Sequence, residues 1–264
     1  MKKALLSTFI AAAFAVGSNS YALIASDNAS PANYPGGTWA GGSNGGSGFG
    51  AWSLPGSSGT GGFNGAYIGT AAGLPNYSSL YTDGVAFSIY AGDTTGTGAF
   101  QDAFRPFSTG MSVGDTFTHS IAFSYDNGNK GFDLYSGTDG TGQVFSFNIN
   151  NTGYSWSGGG SAPMTTWPGV RENGVVIDFS FTLTPTGFDY AIGSAQDVGL
   201  TQSGSLAAAS IGSVKYYISG AGGGDPGNLF LNSPTVVPEP TTYALLALGA
   251  LGVAGYAAGR RARK

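Results

Sequence analysis

The chain contains no cysteine and only one histidine, His119, and these two scarcities exclude several kinds of chemistry. Without cysteine there is no disulfide bond, no thiolate metal site and no cysteine nucleophile. Zinc sites need several histidine or cysteine ligands, which a single histidine cannot supply. The sequence therefore predicts no metal site built from these residue types and no bound cofactor; calcium, which takes oxygen ligands, is a separate question.

Charged residues are also scarce, at 9% of the 264 residues against about 25% in an average protein. Between Leu23 and Val237 there are only four basic residues and 13 acidic ones, a formal charge of −9. Nucleic-acid binding requires a basic surface that neutralises phosphates, so DNA and RNA are excluded as partners. What is abundant is glycine, with 47 residues, and apolar residues, which at 41% are sufficient for a hydrophobic core.

The N-terminus has the pattern of a secretory signal peptide. Lys2 and Lys3 precede an apolar run, Ala4–Val16, that is too short for the roughly 20 residues that span a bilayer. Small residues at the end of the segment predict a signal peptide over residues 1–22, cleaved after Ala22, with cleavage after Ala25 as the alternative. The mature chain is therefore expected outside the inner membrane.

The C-terminus predicts a transmembrane helix over residues 241–259. The sequence has no charge between Pro240 and Gly259, and 20 helical residues span about 30 Å. The basic residues that follow, Arg260, Arg261 and Arg263, are expected to stay in the cytoplasm by the positive-inside rule. Both ends of the chain thus predict an exported protein whose precursor is anchored in the inner membrane.

The tail also resembles a known sorting signal. Pro238, Glu239 and Pro240 are followed by two threonines, an apolar segment rich in Leu, Ala and Gly, and a pair of arginines. This order resembles the PEP-CTERM sorting signal of Gram-negative bacteria that make exopolysaccharide. The resemblance implies recognition of the Pro-Glu-Pro motif by exosortase, a membrane transpeptidase, with Arg260, Arg261 and Arg263 as the stop signal. It covers only about the last 30 residues, so it implies destination and processing and leaves the activity open.

Residues 23–51 are rich in Ser, Asn and Gly and predict a linker or an edge segment of the domain. The same composition could not cradle a phosphate, because the Gly-Lys-Ser/Thr ending of a P-loop is absent. Trp39, Phe49 and Trp52 indicate that part of the segment packs on the edge of the domain. At the C-terminus, residues 233–264 are predicted to form the sorting signal with its helix.

Residues 52–232 predict an all-β domain. Apolar and polar residues alternate over Thr116–Tyr125 and Val175–Thr184, the period of half-buried strands. Asn-Gly and Asp-Gly pairs predict tight hairpin turns. We expect about eight strands in one antiparallel β-sandwich, jelly-roll or lectin-like. The six shorter strand candidates are Val85–Tyr90, Phe132–Tyr135, Val144–Ile149, Phe188–Ile192, Val214–Ser219 and Leu229–Asn232.

No catalytic constellation is evident in this domain, which predicts that the protein is not an enzyme. His119 is in phase with the apolar face of its strand, as a core histidine would be. Glycosidases need two carboxyl groups about 5 to 9.5 Å apart, but the domain has one glutamate, Glu172. Asp178, on the polar face of its strand, would need an acid brought near by folding, for example Asp189. A hydrolase is therefore the third-ranked alternative.

Two kinds of binding site stay open from the sequence. Asp126, Asn127, Asn129 and Asp133 supply oxygen ligands near a turn, although they do not match the EF-hand loop, so a solvated turn and a calcium site are both compatible with them. Three tryptophans were considered as a stacking platform for sugar rings, with burial in the core as the alternative for each. They are Trp52, Trp156 and Trp167.

These features lead to one principal hypothesis about function. We expect a non-catalytic envelope or extracellular-matrix protein, associated with exopolysaccharide or biofilm, that exosortase processes and that ends at the cell surface or outside the cell. The alternative is a lectin-like carbohydrate-binding module. The expected partners are exosortase, the inner membrane during the precursor stage, and the exopolysaccharide itself.

Overall fold

The structure is a computed structural model, and one compact unit extends from Ile24 to Glu239. The predicted signal peptide and the predicted helix 241–259 lie outside the residues that can be described. Within the described part of the chain, no helix is long and apolar enough to cross a membrane. The described residues are 23–70, 79–93, 98–123, 125–158, 165–168, 175–195, 200–207, 210–220 and 227–239.

Fifteen strands form among these residues, with one short 3-10 turn at Pro35–Gly37. The eight predicted strands are among them. The strands are β1 Ala25–Ser26, β2 Gly56–Ser57, β3 Gly62–Thr70, β4 Val85–Asp93, β5 Phe100–Pro106, β6 Thr116–Phe123, β7 Asn129–Tyr135, β8 Gln143–Asn150, β9 Gly153–Gly158, β10 Thr165–Pro168, β11 Val176–Thr184, β12 Gly187–Gly193, β13 Gln202–Leu206, β14 Ser213–Ser219 and β15 Gly227–Val237.

The strands form two antiparallel sheets. The first sheet has the order β13-β12-β11-β6-β15-β4-β3, and β1 pairs with β15 beside it. The second sheet has the order β10-β9-β8-β7-β14-β5-β2. About half of the strand pairs join consecutive strands, but the pairs at the centre of each sheet, such as β6 with β15 and β7 with β14, join strands distant in sequence, so the order depends on long-range pairing. The prediction of an all-β, antiparallel sandwich is confirmed.

The inner faces of the two sheets pack against each other through aromatic side chains. Phe179 of the first sheet meets Phe132 and Phe147 of the second, with ring centroids 4.6 and 4.8 Å apart. Phe145 and Phe181 make a similar contact at 4.9 Å. Burial of each such ring contributes on the order of 2 to 3 kcal/mol. These rings belong to one hydrophobic cluster that contains side chains from both sheets.

Part of the segment 23–51, predicted to be a linker or an edge segment of the domain, packs into this core. Ala25, Tyr34, Trp39 and Phe49 are each at most 4% exposed. The aromatic residues among the Ser, Asn and Gly point inward, which average composition could not indicate, whereas Leu23 is 49% exposed. At the other end, β15 continues to Val237, beyond the predicted boundary at residue 232.

A buried ion pair ties this segment to the second sheet. The Arg105 guanidinium lies 3.2 Å from Asp27 Oδ2, and both side chains are fully buried. The Tyr34 hydroxyl and the Trp52 indole N–H donate to the same oxygen at 2.7 and 3.1 Å. Burial raises the pKa of Asp27, against the lowering effect of Arg105 and of these two donors. Arg105 also donates to the Gly45 carbonyl at 2.7 Å.

Candidate functional site

The first part of the sorting motif lies at the end of a central strand. Val237 is the last residue of β15, and Pro238 and Glu239 follow it directly. Pro238 is buried and Glu239 is half-buried. Gly114 has a φ of 93°, and a Cβ placed on it would overlap the Glu239 side chain, so the glutamate lies directly against this turn.

The remaining residues predicted for processing cannot be placed. They lie outside the described part of the chain, and their roles stay predictions. These residues are Ala22, Pro240, Arg260, Arg261 and Arg263.

The tryptophans proposed as a sugar platform lie in the core where they can be described, so that prediction is wrong for Trp52 and Trp156. Trp52 is 1% exposed and Trp156 is 4% exposed. The Trp156 indole N–H donates to the Tyr190 hydroxyl at 3.3 Å across the sandwich. Trp156 faces the interior from β9, where it pairs with Phe147 of β8. Trp167 pairs through its backbone in β10, and its side chain lies outside what can be described.

An open groove of about 680 Å³ crosses the outer face of the first sheet. Its floor includes one rung that runs over five strands, from β15 through β6, β11 and β12 to β13. At about 4.8 Å between strands, this rung is about 19 Å long. It consists of Thr235, Thr118, Ser180, Ala191 and Ser203.

Three of the four hydroxyl groups of this rung are available to a ligand, whereas the fourth, on Thr235, donates to the Ser233 carbonyl at 3.0 Å. Within the described structure, the side chains of Thr118, Ser180 and Ser203 have no hydrogen-bond partner. One carboxylate borders them: Asp178, exposed, accepts a hydrogen bond of 2.5 Å from the Ser120 hydroxyl. A hydroxyl both donates and accepts, so the groove offers a row of groups that can bind other hydroxyls in either direction.

The two aspartates considered for hydrolysis are far apart on this face. Asp178 pairs with Gly193, whereas Asp189 pairs with Thr182, four residues further along β11. At about 3.4 Å per residue, the two rungs are separated by about 14 Å. The hydroxyl of Ser205 donates to Asp189. The alternative acid, Glu172, lies outside the described residues.

The oxygen-rich turn considered for calcium holds an ammonium group instead. The fully buried Lys130 side chain donates to the Tyr125 carbonyl and, at 3.3 Å, to Asn127 Oδ1. Burial lowers the pKa of Lys130 to about 8, opposed by the charge of Asp126. Among the residues that the structure describes, no three His, Cys, Asp or Glu side chains come together as a metal site would require.

His119 lies in the core, as its strand pattern predicted. Its ring stacks between Phe117 and Phe179, with centroids 5.1 and 5.0 Å away. Burial lowers its pKa to about 3, so the imidazole is neutral at physiological pH. It is 2% exposed and cannot reach a ligand in the groove, which lies on the opposite face of its strand.

The same outer face carries an aromatic strip on the edge strand β3 and its neighbour β4, which we define as Phe63, Tyr90 and Tyr67. Phe63 and Tyr67 are each 37% exposed. The Tyr90 ring lies 6.2 Å from the Phe63 ring and 5.8 Å from the Tyr67 ring. A Cβ on Gly92 would overlap Phe63, and one on Gly65 would overlap Tyr90, so each ring covers a glycine of the neighbouring strand.

Sequence reasoning missed this strip because it placed the first strand at Val85. The signal was nonetheless present in β3, where Phe63, Gly65, Tyr67 and Gly69 alternate with the inward-facing residues. Glycine lowers strand propensity, which conceals such a segment. The groove was harder to find, because its hydroxyls come from five strands that are separated in the sequence.

Comparison with known proteins identifies the tail. Residues 236–264 match the PEP-CTERM protein-sorting motif. The chain therefore carries an exosortase sorting signal, as the residues at its end predicted, and the signal indicates export with a membrane-anchored precursor. The match begins at Val236, inside β15. Curated protein sequences include no match to this chain.

Several solved structures show a distant similarity. One is a sialidase, 8% identical with a TM-score of 0.44, over 60% of this chain and only 16% of that chain. A second is the cellulose-induced protein Cip1, 10% identical with a TM-score of 0.40, over 70% and 90%. A third is toad ovary galectin in complex with thio-digalactose, 12% identical with a TM-score of 0.32, over 50% and 97%. Similarity at this level carries no assignment of ligand or activity.

Proposed function

We propose that the exported domain is a non-catalytic envelope or matrix protein that binds a neutral exopolysaccharide across the outer face of its first sheet. The observation that carries this proposal is the groove with its row of unpartnered hydroxyls. Sugar hydroxyls also donate and accept, and concave sites with a few convergent polar groups are the usual form of a small-molecule site.

The aromatic strip supports the same ligand class. Tyr67 lies in one rung with Ser88, Phe230 and Ala122, on the face that carries the groove. Those three residues are at most 1% exposed, so the strip and the groove are two separate exposed regions of this face. Exposed rings can cover the apolar C–H side of a pyranose, while hydroxyl groups bind its polar edge. A polysaccharide is long enough to contact both regions of one sheet.

Charge restricts the ligand to neutral glycans. The domain carries a formal charge of −9 between Leu23 and Val237, and like charges repel an acidic polymer. Among the described residues that line the groove there is one carboxylate, Asp178, and no lysine or arginine. The separation of Asp178 from Asp189 favours binding over hydrolysis, because the paired carboxyl groups of glycosidases are much closer.

The sorting signal supports polysaccharide binding outside the inner membrane. Exosortase would process a precursor held in the inner membrane and deliver the domain to the cell surface or to the surrounding matrix. The ligand that such a protein meets first is the polysaccharide of the producing cell.

The groove is tested by removing two hydroxyls from its floor. We expect a Thr118→Val and Ser180→Ala double variant to bind the producer's purified neutral polysaccharide about 30-fold more weakly, since each lost hydrogen bond costs about 1 kcal/mol. Affinity electrophoresis in polysaccharide gels measures this change. The matched control is Ser157→Ala on the outer face of the other sheet, where wild-type affinity is expected.

Two results would count against the proposal. Wild-type protein that is not retarded by the polysaccharide would contradict glycan binding, and equal affinity of the double variant would remove the groove as the site. Release of reducing ends from the polysaccharide by purified protein would contradict the non-catalytic part.

A further inference from the structure

The last residues of β15 are paired on both sides. Thr235, Val236 and Val237 pair with β6 on one side, and β1 pairs with the same end of the strand on the other. The Ile24 N–H donates to the Val236 carbonyl at 2.9 Å, and the Asp27 N–H donates to the Pro234 carbonyl at 3.0 Å. The backbone immediately before the sorting motif is therefore engaged within the sheet.

No spacer separates this strand from the motif. Pro238 follows Val237 directly and is buried, and Glu239 lies against Gly114. Proline lacks an N–H and keeps the backbone extended. From these properties alone, the Pro-Glu-Pro segment is expected to be accessible. In the folded domain the start of this segment is instead covered.

An enzyme that processes a peptide binds it as an extended segment and uses its backbone groups. Those groups are already hydrogen-bonded up to Val237, so recognition of the motif in the folded domain requires the end of β15 to detach. Detachment means breaking pairs with β6 and with β1, and it uncovers Pro238.

We propose that the folded domain withholds its own sorting motif from exosortase, so that processing takes place on chains in which the end of β15 is not docked. β1 keeps this end of β15 docked, because it pairs with its outer edge, and we call β1 the clasp. β1 begins three residues after Ala22, where signal-peptide cleavage is predicted. This inference rests on exosortase processing and adds its dependence on folding.

A spacer tests the proposal directly. We would insert eight Gly and Ser residues between Val237 and Pro238 and follow precursor processing in the producing bacterium by pulse-labelling. The processing half-time should fall at least about fivefold, the population ratio that corresponds to one backbone hydrogen bond of about 1 kcal/mol. The same insertion between Asp139 and Gly140, in an exposed turn, should leave the half-time unchanged.

A second variant tests the clasp without changing the spacing. Ile24→Pro removes the N–H that donates to Val236, and it should also shorten the half-time. Removal of the signal peptide is followed on the same gels. A protease-resistant domain in both variants shows that folding is retained.

The outcomes separate two failures. If replacing Pro238, Glu239 and Pro240 by alanine leaves processing normal, recognition of the motif is wrong, and this inference is wrong with it. If that triple variant is blocked while the spacer and Ile24→Pro leave the half-time at its wild-type value, exosortase processing stands and withholding by the fold is overturned.

Discussion

Replacing His119 by phenylalanine should remove most of the acid sensitivity of the domain between pH 7 and pH 5. The imidazole is 2% exposed and lies among the rings of Phe117, Phe132 and Phe179. Neither ring nitrogen has a hydrogen-bond partner in the described structure. A charged imidazole would therefore lose its hydration without gaining any compensating contact.

The magnitude follows from the two pKa values of this side chain. Burial lowers its pKa to about 3 in the folded protein, from 6.5 in the unfolded chain. Between these values the unfolded chain binds a proton and the folded protein does not, so stability falls as the pH falls. At pH 5, about 1.5 units below the unfolded pKa, the loss is about 2 kcal/mol.

Urea unfolding at pH 7 and pH 5, followed by tryptophan fluorescence, measures this loss. His119 is the only histidine in the chain, so the difference between wild type and His119→Phe isolates it while the carboxylates cancel. A Phe181→Leu variant alters the same core without a titrating group and should keep the wild-type pH dependence. Equal losses of stability in wild type and His119→Phe would refute the reasoning.

Two other buried charges lead to further predictions. Arg105→Met leaves Asp27 buried without its cation and should lower the free energy of unfolding by about 3 to 5 kcal/mol; a urea midpoint within error of wild type would contradict a structural role for the pair. The pKa of Lys130 is lowered to about 8, so the folded protein binds fewer protons than the unfolded chain above that pH. Wild type should gain about 2 kcal/mol between pH 7.5 and 9.5, and Lys130→Met should lack this gain; parallel curves would show that the amine is not buried.

The strands with regular alternation were predictable because the alternation of apolar and polar residues can be read from each strand's own sequence, without knowing which strands lie beside it. β6 and β11 place Phe117, Ile121, Phe179 and Phe181 inward, as their period of two requires. Several strands that were missed are short or rich in glycine, such as β1, β2 and β3. β5 is neither, but its buried face carries Gln101 and Arg105, so its sequence lacks the apolar alternation. Their conformation is stabilised mainly by pairing with partners elsewhere in the chain.

The candidate site was much less predictable than the fold. The residue type of Trp52 and Trp156 suits stacking on a sugar, but both lie in the core. Trp156 faces inward because of its phase in β9, and Trp52, outside the strands, donates to the buried Asp27. The groove depends on register: a shift of one residue in β11 would exchange Ser180 for an inward residue. Register follows from pairing across the whole sheet, which no local pattern contains.

The sequence by itself determined the all-β class and the sorting signal, since the first depends on local periodicity and the second on a contiguous string of residues. Only the tertiary structure decided that residues 24–50 belong to the domain, that Asp27 meets Arg105, and that the motif begins where β15 ends. These features join residues dozens to hundreds of positions apart. Their energies come from long-range burial and hydrogen bonding, which exist only once the sheets have assembled.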